Sequence, residues 1–507
     1  MTLSLVSRAP DSIHNWLLLF LVKFRQPLLS SSLIGLFGFL VSWTASWTPS
    51  PWLDEAATAH IISYPISDMA RLWERTDAVY APYYVFMHFW IKVVGVTPFT
   101  LRLPSLLAVG VGTAAMAITG RTVGGPRAQL LYGLCFALLP RTTAMGIEAR
   151  PYAMSSMFMA LALTAVVKLR LMPSVSKWLL LGVAMVGAVA SQFFSALPIV
   201  GMVLAAIVQF SARSRVLLIV TSGLSALVCL PLAKVAVSQQ NQVSWIGDEA
   251  YSLANQALVE SWFTSRWSLN PAEGTNVQDL AAVILSVVAG LTVVTALACS
   301  RNWPASRLAL AATPPLIAIL VLWSVSLVDS PVLLGRYLTS SAPFVAMFLA
   351  ECIMLLRPKA KTVFLPLLLL GSVMVIVGQR EPYAKIPAND YAFIASTLQS
   401  RADRGDGLLI EPGLGPVDSA RNALDLYPKD FSRLVDIARP QREPLSFVFA
   451  TDPAIADISQ SNLPPRIWVV KKNGQISNYE EQLAKRGYIR ELPSAGPAHA
   501  VSSWYRR

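Results

Sequence analysis

Two adjacent carboxylates, Asp54 and Glu55, are the side chains best placed in this sequence to do chemistry. They follow directly on the first strongly apolar stretch of the chain. Ser50 is a favoured N-cap residue and Pro51 suits the first helical position, so we predict that a short helix begins there. Neighbouring helical residues point about 100° apart, which predicts different tasks for the two acids. In a simpler interpretation, both acids only complement the positive end of the helix dipole.

The composition is that of a polytopic membrane protein. Of 507 residues, 54% are hydrophobic and 14% are charged, and the mean hydropathy is +0.52. The net charge is +12, but lysine and arginine gather in short loops, which indicates membrane orientation and argues against nucleic-acid binding. The four cysteines all lie in apolar segments, so neither a disulfide framework nor a Cys-x-x-Cys metal site is predicted.

Apolar segments of span length recur along most of the chain and predict about eleven transmembrane helices. The break at Ser191 and Gln192 is weak, so the two segments that flank it alternatively form one long span with an interfacial piece. The predicted spans are 28–47, 101–120, 128–145, 153–169, 178–191, 194–210, 216–236, 279–298, 308–328, 338–356 and 362–378.

The spans divide the chain into a cytoplasmic leader at 1–27, a transmembrane catalytic domain at 28–378 and an extracytoplasmic domain at 379–507. The first external loop, 48–99, contains an aromatic stretch at 81–90 that is short for a span, so we predict a juxtamembrane helix there. Every second loop is basic, which places the N-terminus in the cytoplasm. An odd number of spans then puts Asp54 and the C-terminus outside the plasma membrane.

The region 379–507 alternates strand-like and helical patterns and predicts a small α/β domain. It has no cysteine, no GxGxxG motif and no nucleophile signature, so we expect it to bind or position something and not to do chemistry. The predicted strands include Gly407–Ile410, Leu445–Phe449 and Arg466–Val470, and a predicted helix covers Tyr479–Arg486.

The predicted outer boundary collects Asp54, Glu55, Glu148, Arg150 and Arg336. Arginines at the outer ends of spans run against the positive-inside bias, although snorkelling also places charges there. Because the planar arginine fork binds phosphate, we predict a pocket in which these groups meet a lipid phosphate ester. A carboxylate base would activate an acceptor hydroxyl, and the arginines would stabilise the leaving phosphate. A single inverting displacement needs no second nucleophile.

No metal or cofactor is required by this prediction. The histidines are His14, His60, His88 and His499, and there is no HExxH motif. His60 lies about 240° around a helix from Asp54, so the two do not form a metal pair on one face. A divalent metal is compatible with an acidic site, but nothing in the sequence supports one.

Four short motifs, all on the predicted outer side, resemble those of the GT-C superfamily of polyprenyl-phosphate-sugar-dependent glycosyltransferases. The nearer relatives are the protein O-mannosyltransferases and the aminoarabinose transferases. The resemblance covers about residues 28–378 and implies the GT-C fold. The motifs are WLDE at 52–55, APYY at 81–84 with LRLPS at 101–105, EARPYA at 148–153 and GRYL at 335–338.

The resemblance also implies roles for individual side chains. Asp54 would be the catalytic base and Glu55 would help to hold acceptor or donor. Two arginines with their neighbouring tyrosines would bind the donor phosphate, namely Arg150, Tyr152, Arg336 and Tyr337. Further residues expected to line the cavity are Asp77, Tyr83, Tyr84, Arg102 and Glu148, and for Arg102 a structural role fits equally well.

Three positions depart from the family pattern. Ala81 replaces the first proline of a Pro-Pro pair, Tyr80 replaces a frequent histidine, and Gln192 stands where many relatives carry a histidine after the fifth span. These departures bear on sugar specificity and on any metal role more than on the reaction class. The length and the outer domain are similar to actinobacterial cell-envelope members that use decaprenyl-phosphate mannose or arabinose.

The predicted function is inverting transfer of one sugar, mannose first and arabinose next, from a polyprenyl phosphate. The acceptor would be a hydroxyl of an extracytoplasmic envelope glycan, glycolipid or protein. A lipid-linked sugar transporter or flippase is the first alternative, but the sequence shows no internal repeat and its charges cluster at one boundary. The second alternative is a non-catalytic envelope assembly factor that works through the C-terminal domain.

Overall fold

The structure is a computed structural model. It describes residues 27–242, 246, 252–264, 277–329, 331–385, 389–413, 419–438, 445, 447–450, 452, 458, 462–491 and 493–506. The predicted leader at 1–27 therefore lies outside the described residues except for its last position, and so does part of the external segment that follows Ser238.

Apolar helices coincide with every predicted span. Among the described residues, seven helices are long and apolar enough to cross a bilayer, and three more are apolar but shorter. The helices from the first span to the last are α1 Pro27–Trp43, α2 Leu53–Ile62, α3 Ile66–Trp73, α4 Ala81–Val94, α5 Pro98–Leu138, α6 Pro140–Gly146, α7 Tyr152–Leu171, α8 Val175–Ser191, α9 Ala196–Ile207, α10 Ala212–Ser238, α11 Val277–Cys299, α12 Ala305–Val328, α13 Ala342–Leu355 and α14 Pro358–Gly378.

Helix α5 contains two of the predicted spans and bends between them. Gly125 adopts a φ of +75°, which breaks the helical path just before Pro126. The second of these spans was predicted to run to residue 145, and that boundary is wrong. Leu139 is extended, as the residue before a proline prefers, and the separate short helix α6 begins at Pro140.

The helices differ in how much of their apolar surface the protein covers. In α5 and α7 the most apolar stretch is 72% buried, whereas in α10 it is 11% buried. Helices such as α10 therefore present leucine and valine to a surrounding apolar medium, as lipid-facing helices do. The chain is a multi-pass membrane protein.

The two segments around Ser191 form separate helices, which resolves the alternative left open by the sequence. Helix α8 ends at Ser191, and Gln192 is extended. A 3₁₀ turn at Phe193–Ser195 then leads into α9. Gln192 is 1% exposed, so this break lies inside the protein.

The segment 48–99, which the sequence predicts to be the first external loop, is helical, and its aromatic stretch forms α4 as predicted. The predicted start of the acidic helix is wrong, because α2 begins at Leu53 with Trp52 as its N-cap. The Ser50 hydroxyl is used elsewhere and donates to the Asn389 carbonyl at 2.7 Å. The Leu53 amide donates to Asn389 Oδ1 at 2.7 Å, so the C-terminal region caps this helix.

In the described residues of the C-terminal domain, six strands form a mixed sheet of order β2-β1-β3-β6-β4, with β5 paired to β6. Strand β1 is parallel to β2 and β3, and β6 is antiparallel to its neighbours. The strands are β1 Gly407–Ile410, β2 Val435–Asp436, β3 Arg466–Lys472, β4 Ile489–Arg490, β5 Ser494–Ala495 and β6 His499–Tyr505, and the helices are α15 Tyr391–Arg401, α16 Asn422–Leu426, α17 Pro428–Phe431 and α18 Asn478–Lys485. Strands β1 and β3 and helix α18 match the sequence prediction.

The predicted strand at Leu445–Phe449 is not observed, since residues 447–449 form a bend and Ser446 lies outside the described residues. Apolar side chains of α2 and α4, such as Ile61 and Tyr84, share one buried cluster with Leu408 and Ile410 of β1. The C-terminal domain therefore packs directly onto the helix that carries Asp54.

Candidate active site

Asp54, Arg150 and Arg336 come together and are called here the Asp54 cluster. Arg336 donates to Asp54 Oδ2 at 2.9 Å, and Arg150 Nε lies 3.7 Å from the same oxygen. The Asp54 side chain is 19% exposed, so its carboxylate is reachable from outside the protein. Two guanidinium groups face one carboxylate, which leaves a positive excess suited to an anion.

Arg336 lies in a 3₁₀ turn, Gly335–Ser341, at the head of the span that continues as α13. Gln192 fixes this turn: its side chain donates to the Arg336 carbonyl at 2.9 Å and accepts from the Thr339 hydroxyl at 3.1 Å. At Gly335 a Cβ atom would lie 2.9 Å from the backbone of Glu260 and Ser261, so the close approach of the external segment requires glycine.

Arg150 is held by aromatic side chains of the first external loop. Its guanidinium stacks 4.5 Å above the ring of Tyr80, and Nη1 donates to the Tyr84 hydroxyl at 3.1 Å. Tyr84 in turn donates to Asp77 at 2.5 Å. Burial raises the pKa of Asp77, and the opposing influence of Arg150 does not cancel this effect.

Asp77 has a left-handed backbone with φ of 60°. Aspartate tolerates this conformation better than most residues, but it still costs about 1–3 kcal/mol. The turn is clamped by the end of α10, since Gln242 accepts from the Asp77 amide at 3.0 Å and Gln239 from the Ala78 amide at 3.1 Å. These bonds aim the Asp77 carboxylate at Tyr84.

Glu55 belongs to a second set, called here the Glu55 network, with Arg102 and Lys385. Arg102 binds the carboxylate bidentately at 2.7 and 2.9 Å, Lys385 donates at 2.6 Å and the Ala149 amide at 3.0 Å. The Glu55 side chain is 2% exposed. Burial alone would raise the pKa of Glu55, but Arg102 and Lys385 outweigh it and hold the pKa at about 2.

The remaining predicted site residues surround these two sets. Tyr152 is buried and is an electrostatic neighbour of both Arg150 and Arg336. The ring of Tyr337 stacks on Phe194 at 4.7 Å. The Tyr83 hydroxyl has no hydrogen-bond partner among the described residues. Burial raises the pKa of Glu148, whose backbone carbonyl accepts from the Ser105 hydroxyl at 2.6 Å.

Two cations near the site were missed from the sequence. Arg141 falls inside a predicted span, but it lies in the short helix α6, is buried and donates to the Glu260 carbonyl. Lys385 follows the last span, in a region to which no chemistry was assigned. The only signal for Lys385 was its position just beyond an outer span end, and that signal does not reveal a contact across 330 residues.

Within the described part of the chain, no three His, Cys, Asp or Glu side chains meet in a way that could hold a metal ion. His60, which the sequence separated from Asp54, pairs with Asp425 of the C-terminal domain at 2.7 Å. The site therefore offers carboxylates, guanidinium groups, tyrosine hydroxyls and one ammonium group.

The comparisons with known proteins find solved structures that are similar to the structure of this chain. No family model matches the chain, and no curated protein sequence matches it. The crystal structure of ArnT from Cupriavidus metallidurans bound to undecaprenyl phosphate superposes with a TM-score of 0.51 at 12% identity, and it covers 93% of this chain and 97% of ArnT. The apo state of the same ArnT gives 0.50 at 11% identity, with the same coverage.

A weaker match is the Archaeoglobus fulgidus oligosaccharyltransferase tethered to an acceptor peptide, with a TM-score of 0.42 and 10% identity. It covers 84% of this chain and 61% of that protein. The likeness to ArnT extends over nearly the full length of both chains. The chain has the GT-C fold.

Proposed function

We propose that this protein transfers a single sugar from a polyprenyl-phosphate donor to a hydroxyl acceptor, with inversion at the anomeric carbon. The observation that carries this proposal is the Asp54 cluster, in which one reachable carboxylate and two arginines meet 2.9 and 3.7 Å apart on a GT-C fold. ArnT, with the same fold, binds undecaprenyl phosphate, which supports a lipid phosphate as the donor carrier.

In the proposed reaction, the acceptor oxygen attacks the anomeric carbon while the bond from that carbon to the phosphate oxygen breaks. The electron pair of the broken bond stays on the phosphate oxygen, and polyprenyl phosphate leaves without its sugar. Asp54 takes the proton of the attacking hydroxyl, a contribution of about 10²–10⁴ in rate for a well-placed base. Arg150 and Arg336 stabilise the charge that grows on the leaving phosphate.

The same geometry suggests how donor binding prepares the base. Arg336 is paired with Asp54 in the structure. A phosphate between Arg336 and Arg150 competes for these donors, because arginine binds phosphate through its planar fork. The Asp54 carboxylate would then be free to accept the hydrogen bond of the acceptor hydroxyl, which would couple donor binding to activation of the base.

Mannose and next arabinose are the sugars we propose, and an envelope glycan, glycolipid or protein is the proposed acceptor. The protein would lie in the plasma membrane with the Asp54 cluster and the C-terminal domain outside the cell. The basic loops of the sequence support this orientation.

The test is incubation of the purified protein with a panel of prenyl-phosphate sugars of known anomeric configuration and with membrane acceptors. We expect release of prenyl phosphate together with a product of opposite configuration, and loss of both in Asp54→Asn. The matched control is Asp68→Asn, which changes an acid of the same external loop that pairs with Arg71 at 3.5 Å. Retention of configuration, or undiminished turnover in Asp54→Asn, contradicts the proposal.

A further inference from the structure

The segment after the last span runs back over the site instead of leaving it. The Gln379 side chain accepts from the Thr143 hydroxyl at 2.7 Å and donates to the Pro140 carbonyl at 2.9 Å. The Ser50 amide donates to the Pro382 carbonyl at 2.7 Å. The segment therefore contacts both the chain just before α2 and the short helix α6.

Lys385 makes the contact of this segment that lies nearest the acidic pair. Its ammonium group donates to Glu55 Oε2 at 2.6 Å and to the Ile147 carbonyl at 2.8 Å, and the side chain is only 10% exposed. Glu55 immediately follows Asp54, and Ile147 begins the short loop that ends in Arg150. One lysine thus joins the helix of the base to the loop of a proposed phosphate ligand.

Glu55 completes the link, because its Oε1 atom accepts from the Ala149 amide at 3.0 Å. Arg102 donates one hydrogen bond to each of the two Glu55 carboxylate oxygens. Lys385 holds the Ile147 carbonyl and Glu55 holds the Ala149 amide, while the Thr58 hydroxyl donates to the Ala149 carbonyl at 3.0 Å. Together these contacts fix where Arg150 stands relative to Asp54.

We propose that Lys385, supplied by the C-terminal region, is a positioning residue of the transfer reaction that acts through Glu55 and the Ile147 carbonyl. This inference rests on the proposed function and extends it, because it makes the active site incomplete without the segment that follows the last span. It also gives the C-terminal domain a role in holding α2 in place, since Asn389 of the same segment caps α2.

The charge of Lys385 provides a signature that a purely structural contact lacks. The charged groups that face it are Glu55 on α2, Arg102 on α5 and Glu148 in the loop after α6. Burial and the nearby Arg102 lower the pKa of Lys385 from 10.5 to about 8. The ammonium form is therefore present below about pH 8 and is lost as the pH rises through that value.

The experiment measures turnover against pH for the full-length protein and three variants. Lys385→Met should lower kcat by about 10²-fold, the loss expected when reacting groups are displaced by about 1 Å, with a much smaller change in donor KM. Lys385→Arg should recover most of the turnover and move the alkaline fall in activity to higher pH, because arginine stays protonated. The matched control is Lys485→Met, which removes an exposed lysine paired with Glu481 in the same domain.

A second readout does not depend on activity. Hydrogen exchange at the Ala149 amide and in the first turn of α2 should accelerate in Lys385→Met and not in Lys485→Met. Unchanged turnover and unchanged exchange in Lys385→Met overturn the inference even if Asp54→Asn is inactive. If no donor supports transfer by the wild type, the proposed function fails, and the exchange measurement alone then decides whether Lys385 holds the loop.

Discussion

Asp54 and Glu55 are neighbours in sequence but belong to two very different environments. Asp54 is 19% exposed and shares one oxygen between two arginines, one from the 3₁₀ turn before α13 and one from the loop before α7. Glu55 is 2% exposed, and Arg102, Lys385 and two backbone amides occupy both of its oxygens. The Glu55 network is closed, whereas the Asp54 cluster is open to a ligand.

The comparison shows how a single residue step along a helix separates chemistry from support. A rotation of about 100° per residue is enough to direct one carboxylate toward the reachable site and the next toward the protein interior. We therefore interpret Glu55 as a residue that holds the catalytic frame, and not as a second group that contacts acceptor or donor. The following variants test this division from the largest expected effect to the smallest.

Breaking the Glu55 network should have the largest effect on stability. Arg102→Met removes the two hydrogen bonds to Glu55 and those to the Ser46 and Pro49 carbonyls. The buried Glu55 carboxylate then keeps only part of the hydrogen bonding and positive charge that stabilise it. We therefore expect a loss of about 3–5 kcal/mol in unfolding free energy. Thermal unfolding in lipid nanodiscs measures it. The double variant Arg102→Met/Glu55→Met should recover part of this loss, and a double variant less stable than the single one would contradict the interpretation.

Breaking the Asp54 cluster should instead affect catalysis. Arg336→Ala removes a guanidinium that would stabilise the leaving phosphate, and we expect kcat to fall about 10²–10³-fold. Arg336→Lys should recover only part of it, because lysine lacks the bidentate fork. Steady-state transfer assays measure both variants, with Arg71→Ala, an exposed arginine of the first external loop, as the control. Equal activity of the alanine and wild-type proteins would remove Arg336 from the mechanism.

The Tyr84 hydroxyl links the left-handed turn at Asp77 to Arg150. Removing this hydroxyl tests how strongly the Asp54 cluster depends on the residues that support it. Tyr84→Phe leaves a buried acid without its donor, which should lower the unfolding free energy by about 1–3 kcal/mol. Thermal unfolding measures the change, and Tyr505→Phe on the last strand serves as control. No destabilisation would indicate that water replaces the hydroxyl.

Gln192→Leu should have the smallest effect. It removes the hydrogen bonds to the Arg336 carbonyl and the Thr339 hydroxyl, each of which contributes about 0.5–1.5 kcal/mol. Because these bonds fix the turn that carries Arg336, the donor KM should rise while the fold persists. Donor titration in the transfer assay measures this. A KM equal to that of the wild type would limit Gln192 to a packing role.

Much of the fold was readable from local pattern. Apolar length predicted the helices, and strand patterns predicted β1 and β3, because both signals are contained in a few consecutive residues. The start of α2 was missed because Asn389, more than 300 positions away, engages Ser50 and caps the helix in its place. The strand predicted at Leu445–Phe449 is not observed, because alternation of apolar and polar residues does not by itself provide a neighbouring strand to pair with.

The site could be predicted in part for the same reason. Asp54, Arg150 and Arg336 lie in short motifs that resemble those of a known superfamily, so the sequence predicts that the three side chains come together in one site. The split between Asp54 and Glu55 was expected from helix geometry, but the closure of the Glu55 network was not. It depends on Lys385, whose neighbours in sequence carry no information about a lysine buried against a distant acid.

The most direct measurement compares Asp54→Asn with Glu55→Gln in one preparation, recording turnover and the thermal unfolding midpoint for each. The account predicts that Asp54→Asn loses transfer by about 10²–10⁴-fold and remains nearly as stable as the wild type. Glu55→Gln should mainly lower the midpoint, and the protein that stays folded should retain measurable transfer. A stable but inactive Glu55→Gln together with an active Asp54→Asn would contradict the account.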